Sequence, residues 1–239
     1  MDFPYTIYPL GDNALTIDFG NRIDEAINKN LLARFEILLK DPLPCMIEAI
    51  PAYTSLTIFY NLCKARNFIT KDNSSAYEWM KSQTEKWLND AVVETETPKT
   101  PITIPVCYDE EFAPDLAFIA KTKNISVDEL IALHVAKTYR VYMLGFLPGF
   151  AYMGQLDEKI SFPRKNKPVL TAAGSVGIAS RQTGIYPLSS PGGWQIIGRT
   201  PLKMFDAQKE NPAFLKAGDE VSFISISKDE FENYTGRHS

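Results

Sequence analysis

Over the first ninety or so residues, apolar positions alternate between two periods. Residues 5–10 and 14–19 follow the two-residue repeat of strands and flank the turn-prone Gly11-Asp12-Asn13. Behind Asp24, a residue able to cap, Ile27, Leu31, Phe35 and Leu38/Leu39 recur at helical spacing and predict a helix to about Lys40. Residues 46–50 and 56–60 return to the strand pattern. Ser75-Ala76-Tyr77-Glu78 then fits a capping box, opening a second helix with a predicted buried stripe of Met80, Trp87 and Leu88. Amphipathic helices laid on a small sheet make an α+β unit.

Past the polar, proline-punctuated residues 93–101 the pattern changes. Residues 102–106 read as a strand, and a further capping box, Ser126-Val127-Asp128-Glu129, predicts a helix to about Thr138. Helical periodicity then all but ends. Short apolar runs cut by Gly and Pro follow at residues 140–144, 175–179, 185–188, 194–197 and 221–226, the signature of a barrel or sandwich. Two domains are expected: an α+β domain over residues 1–95 and a mainly-β domain over 96–239.

Composition narrows the classes. The 239 residues are 45% hydrophobic and 23% charged, which excludes wholesale disorder, collagen and coiled coil. A net charge of −4 removes a chain-wide basic footprint, so neither nucleic acid nor a membrane surface is an expected partner. Cys45, Cys63 and Cys107 show no C-x-x-C pairing, and Met1-Asp2-Phe3-Pro4 begins no secretory signal. The expectation is a globular protein of the cytoplasm.

Candidate chemistry concentrates late in the chain. Residues 145–198 hold nine of the 13 glycines, and from Pro168 through Gly198 the only charged residue is Arg181, with Arg199 next. Such glycine density serves tight barrel corners or backbone that approaches a ligand closely. A lone guanidinium there either binds an anion through paired hydrogen bonds or lies in water or on an acidic side chain. His134 shares a helix face with Leu130 and Val127; it is a proton carrier on a cleft wall or a satisfied core histidine. The run Gly145-Phe146-Leu147-Pro148-Gly149-Phe150-Ala151-Tyr152 is expected to be a fixed loop presenting Phe146, Phe150 and Tyr152 to an apolar surface. Gly174-Ser175-Val176-Gly177 and Ser190-Pro191-Gly192-Gly193 offer backbone N–H groups to phosphate oxygens, yet no G-x-x-x-x-G-K-[ST] or G-x-G-x-x-G motif occurs, and no metal-ligand spacing is evident.

Taken together, residues 145–150 (GFLPGF), 174–179 (GSVGIA), 182–187 (QTGIYP) and 190–201 (SPGGWQIIGRTP) resemble the family of 5-oxoprolinase B subunits, also called allophanate hydrolase subunit 1, which includes an inhibitor of a sporulation histidine kinase. Gly11-Asp12, Ala14-Leu15, Tyr53-Thr54-Ser55-Leu56, Pro114-Asp115-Leu116 and the His134 helix extend the resemblance over nearly the whole chain, with Ser180, Asp109 and Ala113 replacing glycines. It implies a cyclophilin-like β-barrel after the α+β domain and work beside two other 5-oxoprolinase chains, a carboxyltransferase-type C subunit and an A subunit. That complex opens 5-oxo-L-proline to L-glutamate with ATP, and this chain is expected to be inactive alone. Carried onto this sequence, Arg181 or Arg199 would hold a substrate carboxylate or phosphate and His134 a proton. Gly174, Ser175, Gln182, Tyr186 and Phe150 would line a pocket for the small anionic substrate or nucleotide. Two alternatives accompany this reading: a binding module that inhibits a sensor histidine kinase, and a component of a urea or allophanate-type amidolyase.

Overall fold

The computed structural model describes residues 3–69, 75–89 and 100–236 and divides the chain into two units, Met1–Thr97 and Pro98–Ser239. The predicted boundary at residues 95/96 lies outside the described residues.

In the first unit, β1 (Thr6–Pro9), β2 (Ala14–Asp18), β3 (Met46–Pro51) and β4 (Ser55–Tyr60) form an antiparallel sheet in the order β1-β2-β4-β3. Helix α1 (Glu25–Lys40) starts where Asp24 accepts the Ile27 N–H at 3.1 Å, as its sequence predicts. A short turn of helix, α2 (Leu62–Ala65), precedes α3 (Ala76–Asn89), opened by Ser75 accepting the Glu78 N–H. The buried stripe of α3 is Ala76, Trp79, Met80, Thr84 and Leu88; Trp87 is only half-buried, one step around the helix from the repeat that the Ser75 cap sets.

The second unit is a closed barrel. Its strands are β5 (Ile102–Cys107), β6 (Thr138–Leu144), β7 (Ala151–Gly154), β9 (Ser175–Ala179), β10 (Gln182–Ile185), β12 (Gln195–Arg199) and β13 (Glu220–Ile226). They close in the order β10-β7-β6-β13-β5-β12-β9, every pair antiparallel except β5 with β13. A separate ribbon pairs β8 (Val169–Thr171) with β11 (Ser190–Gly192). The α+β unit followed by a β-barrel agrees with the expected fold class.

Alternation decides what fills the barrel. Ile104 and Val106, Tyr139 and Val141, Val176 and Ile178, and Val221 and Phe223 sit two apart on their strands, and all are in the interior cluster. Each such aliphatic side chain contributes about 1.5–3 kcal/mol on burial. Helices α4 (Leu116–Lys123) and α5 (Val127–Val135) add Leu116, Ile119 and Leu130 to the same cluster. Helix α5 ends at Val135, short of the predicted Thr138, because Thr138 already pairs with Ser222 across β6 and β13. The strand expected at residues 185–188 is β10, shifted toward the N-terminus, since a tight turn at Ser180-Arg181 folds it directly back on β9. Ser180 holds φ +52° there, left-handed backbone where the family resemblance leads one to expect glycine. Helix α4 has too weak an apolar repeat to be read from the sequence, whereas α6 (Lys228–Gly236) opens with a capping box that the periodicity reading passed over: Ser227 accepts the Glu230 N–H at 3.2 Å and Glu230 accepts the Ser227 N–H at 2.8 Å.

Candidate functional site

Two residues three apart on β12 define a surface outside the barrel. On β9, Val176 and Ile178 face the interior, so Ser175 and Gly177 face outward. The pairing of β12 with β9 carries a bulge: Ile196 lies opposite Gly177, Gly198 opposite Val176 and Arg199 opposite Ser175. Without the extra residue, strict alternation from Ile196 would turn Arg199 into the core. The bulge instead brings Arg199 out beside Ser175. Gly198 is required beneath it, because a Cβ there would lie 2.7 Å from a Val106 methyl and 3.0 Å from the Cys107 carbonyl oxygen.

Asp115 holds this bulge. Its Oδ2 accepts the Ile196 N–H at 2.6 Å, and its own N–H donates to the Ile196 carbonyl at 3.1 Å. The same Oδ2 takes the Lys165 ammonium at 2.6 Å. Lys165 is fastened from several directions: its N–H donates to the Gly193 carbonyl at 2.7 Å, Gln195 donates to the Pro163 carbonyl at 3.0 Å, and Arg164 lies 5.8 Å over the Trp194 ring.

These groups wall a cavity of about 210 Å³ lined by Lys165, Arg199, Ser175, Thr171, Glu111 and an apolar side of Phe112, Pro114, Ile196, Val169 and Leu170. Arg199 Nε donates to the Ala173 carbonyl at 2.9 Å and the guanidinium lies 6.0 Å from the Phe112 ring, which leaves its two terminal nitrogens without a partner among the described residues. Ser175 is only 5% exposed, yet its hydroxyl hydrogen-bonds to no described residue. Glu111 is answered by Lys228 at 2.5 Å, and that carboxylate raises the Lys228 pKa. The cavity therefore presents two cations, one compensated by Asp115 and one open, beside the Ser175 hydroxyl, which opens onto it. That donor set suits a small carboxylate carrying a further polar group.

Of the eight residues singled out in the sequence, Ser175 and Arg199 meet here. Gly174 supports them from behind at φ +81°, where its carbonyl accepts the Thr200 N–H and a Cβ would strike the Thr200 carbonyl. Arg181 is elsewhere, its side chain 49% exposed and paired with the still more exposed Glu158 at 3.1 Å. Gln182 opens β10 opposite Ala179. Phe150 and Tyr186 are buried in a second apolar cluster with Ala179, Trp194 and Ile196. This cluster accounts for much of the glycine density. A Cβ on Gly184 would lie 2.9 Å from the Ala151 carbonyl and 3.0–3.1 Å from the Trp194 and Phe150 rings, and one on Gly192 would overlap the Tyr186 ring. The close neighbours of these glycines are the protein's own aromatic rings and carbonyls. Phe146, 62% exposed with φ +70°, meets the rim of that cluster, its ring edge-to-face on Phe150 at 5.7 Å.

His134 lies inside the barrel, fully buried. Tyr139 donates to its carbonyl at 2.7 Å; Tyr108 Oη is 2.7 Å from Nδ1 and Thr183 Oγ1 is 3.0 Å from Nε2. Thr183 donates its one proton to the Gly177 carbonyl, so it accepts from Nε2–H, and Nδ1 accepts from Tyr108. Both ring nitrogens are thus used in the neutral form, and burial pushes the His134 pKa down to about 3. This is the arrangement of a core histidine tying α5 to the barrel, and it sits apart from the cavity.

Sequence reasoning missed Lys165, Asp115, Glu111 and Phe112. Asp115 and Ile196 are 81 positions apart, and neither periodicity nor spacing connects them; the only signal was Pro114-Asp115-Leu116 within the family resemblance. Among the described residues no group of three or more His, Cys, Asp or Glu could hold a metal ion, and no helix is long and apolar enough to cross a membrane.

An α+β unit followed by a seven-stranded barrel, with a small pocket holding Arg199 and Lys165 on the barrel's outer face, defines a carboxyltransferase-type chain. The chain belongs to the family described as carboxyltransferase domain, subdomain C and D, whose model matches residues 5–215, and within it groups with the 5-oxoprolinase B subunits. It is 43% identical to the 5-oxoprolinase B subunit of Bacillus subtilis (strain 168) over 235 residues, 98% of each chain. To the 5-oxoprolinase B subunit of Escherichia coli O157:H7 it is 34% identical over 218 residues, 91% of this chain and 94% of that one. Among solved structures it resembles TTHA0988 with a TM-score of 0.73 and 31% identity, over 90% of this chain; it spans 40% of the length of TTHA0988.

Proposed function

We propose that this chain is the B subunit of an ATP-dependent 5-oxoprolinase, which opens 5-oxo-L-proline to L-glutamate together with its A and C subunits and does not turn over alone. The observation that carries this reading is the end-to-end match, 98% of both chains at 43% identity, to a protein of that name. A lactam amide is resonance-stabilised and resists water; transfer of a phosphoryl group from ATP to its oxygen activates the ring carbon, so that water adds there. The ring C–N bond then breaks with nitrogen taking a proton, and a second water hydrolyses the resulting acyl phosphate to glutamate and phosphate. For this chain the reading assigns substrate binding. The open guanidinium nitrogens of Arg199 take the carboxylate of 5-oxo-L-proline through paired, charge-assisted hydrogen bonds, and the Phe112 side covers its ring methylenes. The 210 Å³ cavity is below the range of about 300–1,000 Å³ that drug-sized ligands need, so it is assigned to the small substrate and not to the nucleotide. Free Cys45, Cys63 and Cys107 accord with a reducing cytoplasm.

The test is glutamate formation from 5-oxo-L-proline and ATP by this chain alone, with the C subunit, and with both partners. Turnover confined to the complete set is expected. A complete set that binds together yet forms no glutamate refutes the assignment, and tight binding to a histidine-kinase fragment by the same preparation would move it to the kinase-inhibitor reading.

A further inference from the structure

Arg199 accounts for one end of a small substrate, and the other polar groups of the cavity have no role in that contact. Lys165 enters the cavity wall from outside the glycine-dense stretch, its side chain 18% exposed, with a single carboxylate oxygen of Asp115 as its ionic partner. An ammonium has three protons and one of them is committed to Asp115. Ser175, opposite Arg199 on the neighbouring strand, adds a hydroxyl that opens onto the cavity and is bonded to no described residue, leaving it available to a ligand. Asp115 in turn is the only side chain among the described residues that bonds both β12 at the bulge and Lys165, so one carboxylate governs where both cations stand.

We propose that Lys165 is a substrate-contacting residue of this cavity, that Asp115 is the positioning residue for Lys165 and for the bulge that aims Arg199, and that the cavity grips a small carboxylate-bearing amide between the two cations, with the Ser175 hydroxyl on its amide group. This rests on the 5-oxoprolinase reading for the choice of ligand, and on the geometry of the cavity for the residues. Loss of one charge-assisted hydrogen bond corresponds to about a tenfold or greater loss of affinity.

The experiment measures KM and kcat for 5-oxo-L-proline in the assembled complex, with 5-oxo-L-proline binding to this chain followed in parallel through the amide resonances of Ser175 and Ile196. Lys165→Met is expected to raise KM at least about tenfold, with Lys165→Arg recovering part of the loss. Asp115→Asn keeps an oxygen for the Ile196 N–H and removes the charge beside Lys165. It is expected to raise KM severalfold at a kcat and a melting temperature close to those of the unaltered complex. A purely structural Asp115 would lower the melting temperature and the active fraction while KM stayed put, and that result, or an unchanged KM for Lys165→Met, overturns the proposal. An inactive complex refutes the 5-oxoprolinase reading separately. The resonances then decide the cavity: shifts on adding 5-oxo-L-proline that vanish in Lys165→Met support it, and no shifts in the unaltered chain overturn it.

Discussion

In an unfolded chain an imidazole takes up a proton as the pH falls through about 6.5; inside this barrel His134 takes one up only near pH 3, because burial disfavours the cation and both ring nitrogens are already engaged. The unfolded state therefore binds more protons than the native state between those two values, and stability must fall as the pH is lowered. The contribution is complete above pH 6.5 and is lost progressively below it, at about 1.4 kcal/mol per pH unit, or about 2 kcal/mol between pH 5.5 and 4. Tyr108 and Tyr139, the titratable side chains packed on the ring, have pKa values raised by their own burial and stay neutral throughout. Surface carboxylates also titrate in this window, so the quantity to measure is a difference between two proteins. The assay is urea unfolding at a series of pH values for the unaltered barrel and for His134→Gln, followed by Trp194 fluorescence with Trp79 and Trp87 both replaced by Phe. The two stability curves should converge by about 2 kcal/mol from pH 5.5 to 4. Parallel curves, or a His134 ring resonance that titrates near pH 6.5 in the folded protein, would refute the reasoning.

Other consequences are simpler to check. Arg199→Gln should raise the KM for 5-oxo-L-proline at least about tenfold in the assembled complex, since it removes the open guanidinium, whereas Arg181→Ala should leave KM unchanged. Because the Arg181–Glu158 pair is exposed, its loss should cost under about 1 kcal/mol in urea unfolding. Gly184→Ala forces a methyl against the Ala151 carbonyl and the Trp194 and Phe150 rings and should destabilise the barrel by about 1–3 kcal/mol, visible as an earlier melting transition. Phe231 of α6 is nearly buried and lies 4.5 Å from the Phe112 ring, so Phe231→Ala should cost about 3 kcal/mol by denaturant unfolding and weaken binding of 5-oxo-L-proline through the loosened Phe112 side.

Local chemistry determined a good deal of this protein. Asp24, Ser75 and Ser126 each accept the N–H three residues on, because a capping oxygen and its target are neighbours in the chain. The two-residue repeats at 104/106, 176/178 and 221/223 likewise placed strands with their inward faces, since alternation is a property of the extended backbone alone. The site was only partly legible. Arg199 stood out at the end of an uncharged stretch and Ser175 within a Gly-Ser-Val-Gly run, but Arg181 stood out equally, and nothing local separates a guanidinium turned to solvent from one set over a cavity. The glycines were ambiguous for the same reason, as the Phe150, Tyr186 and Trp194 rings that fill the space above them come from other strands and loops. Tertiary structure alone decided the rest: a single bulged residue reversed the facing of Arg199, and Asp115, 81 positions from Ile196, held that bulge and Lys165 with one oxygen atom. Strand register and long-range hydrogen bonds depend on where distant segments meet when the barrel closes, and that information is not carried by any one stretch of chain.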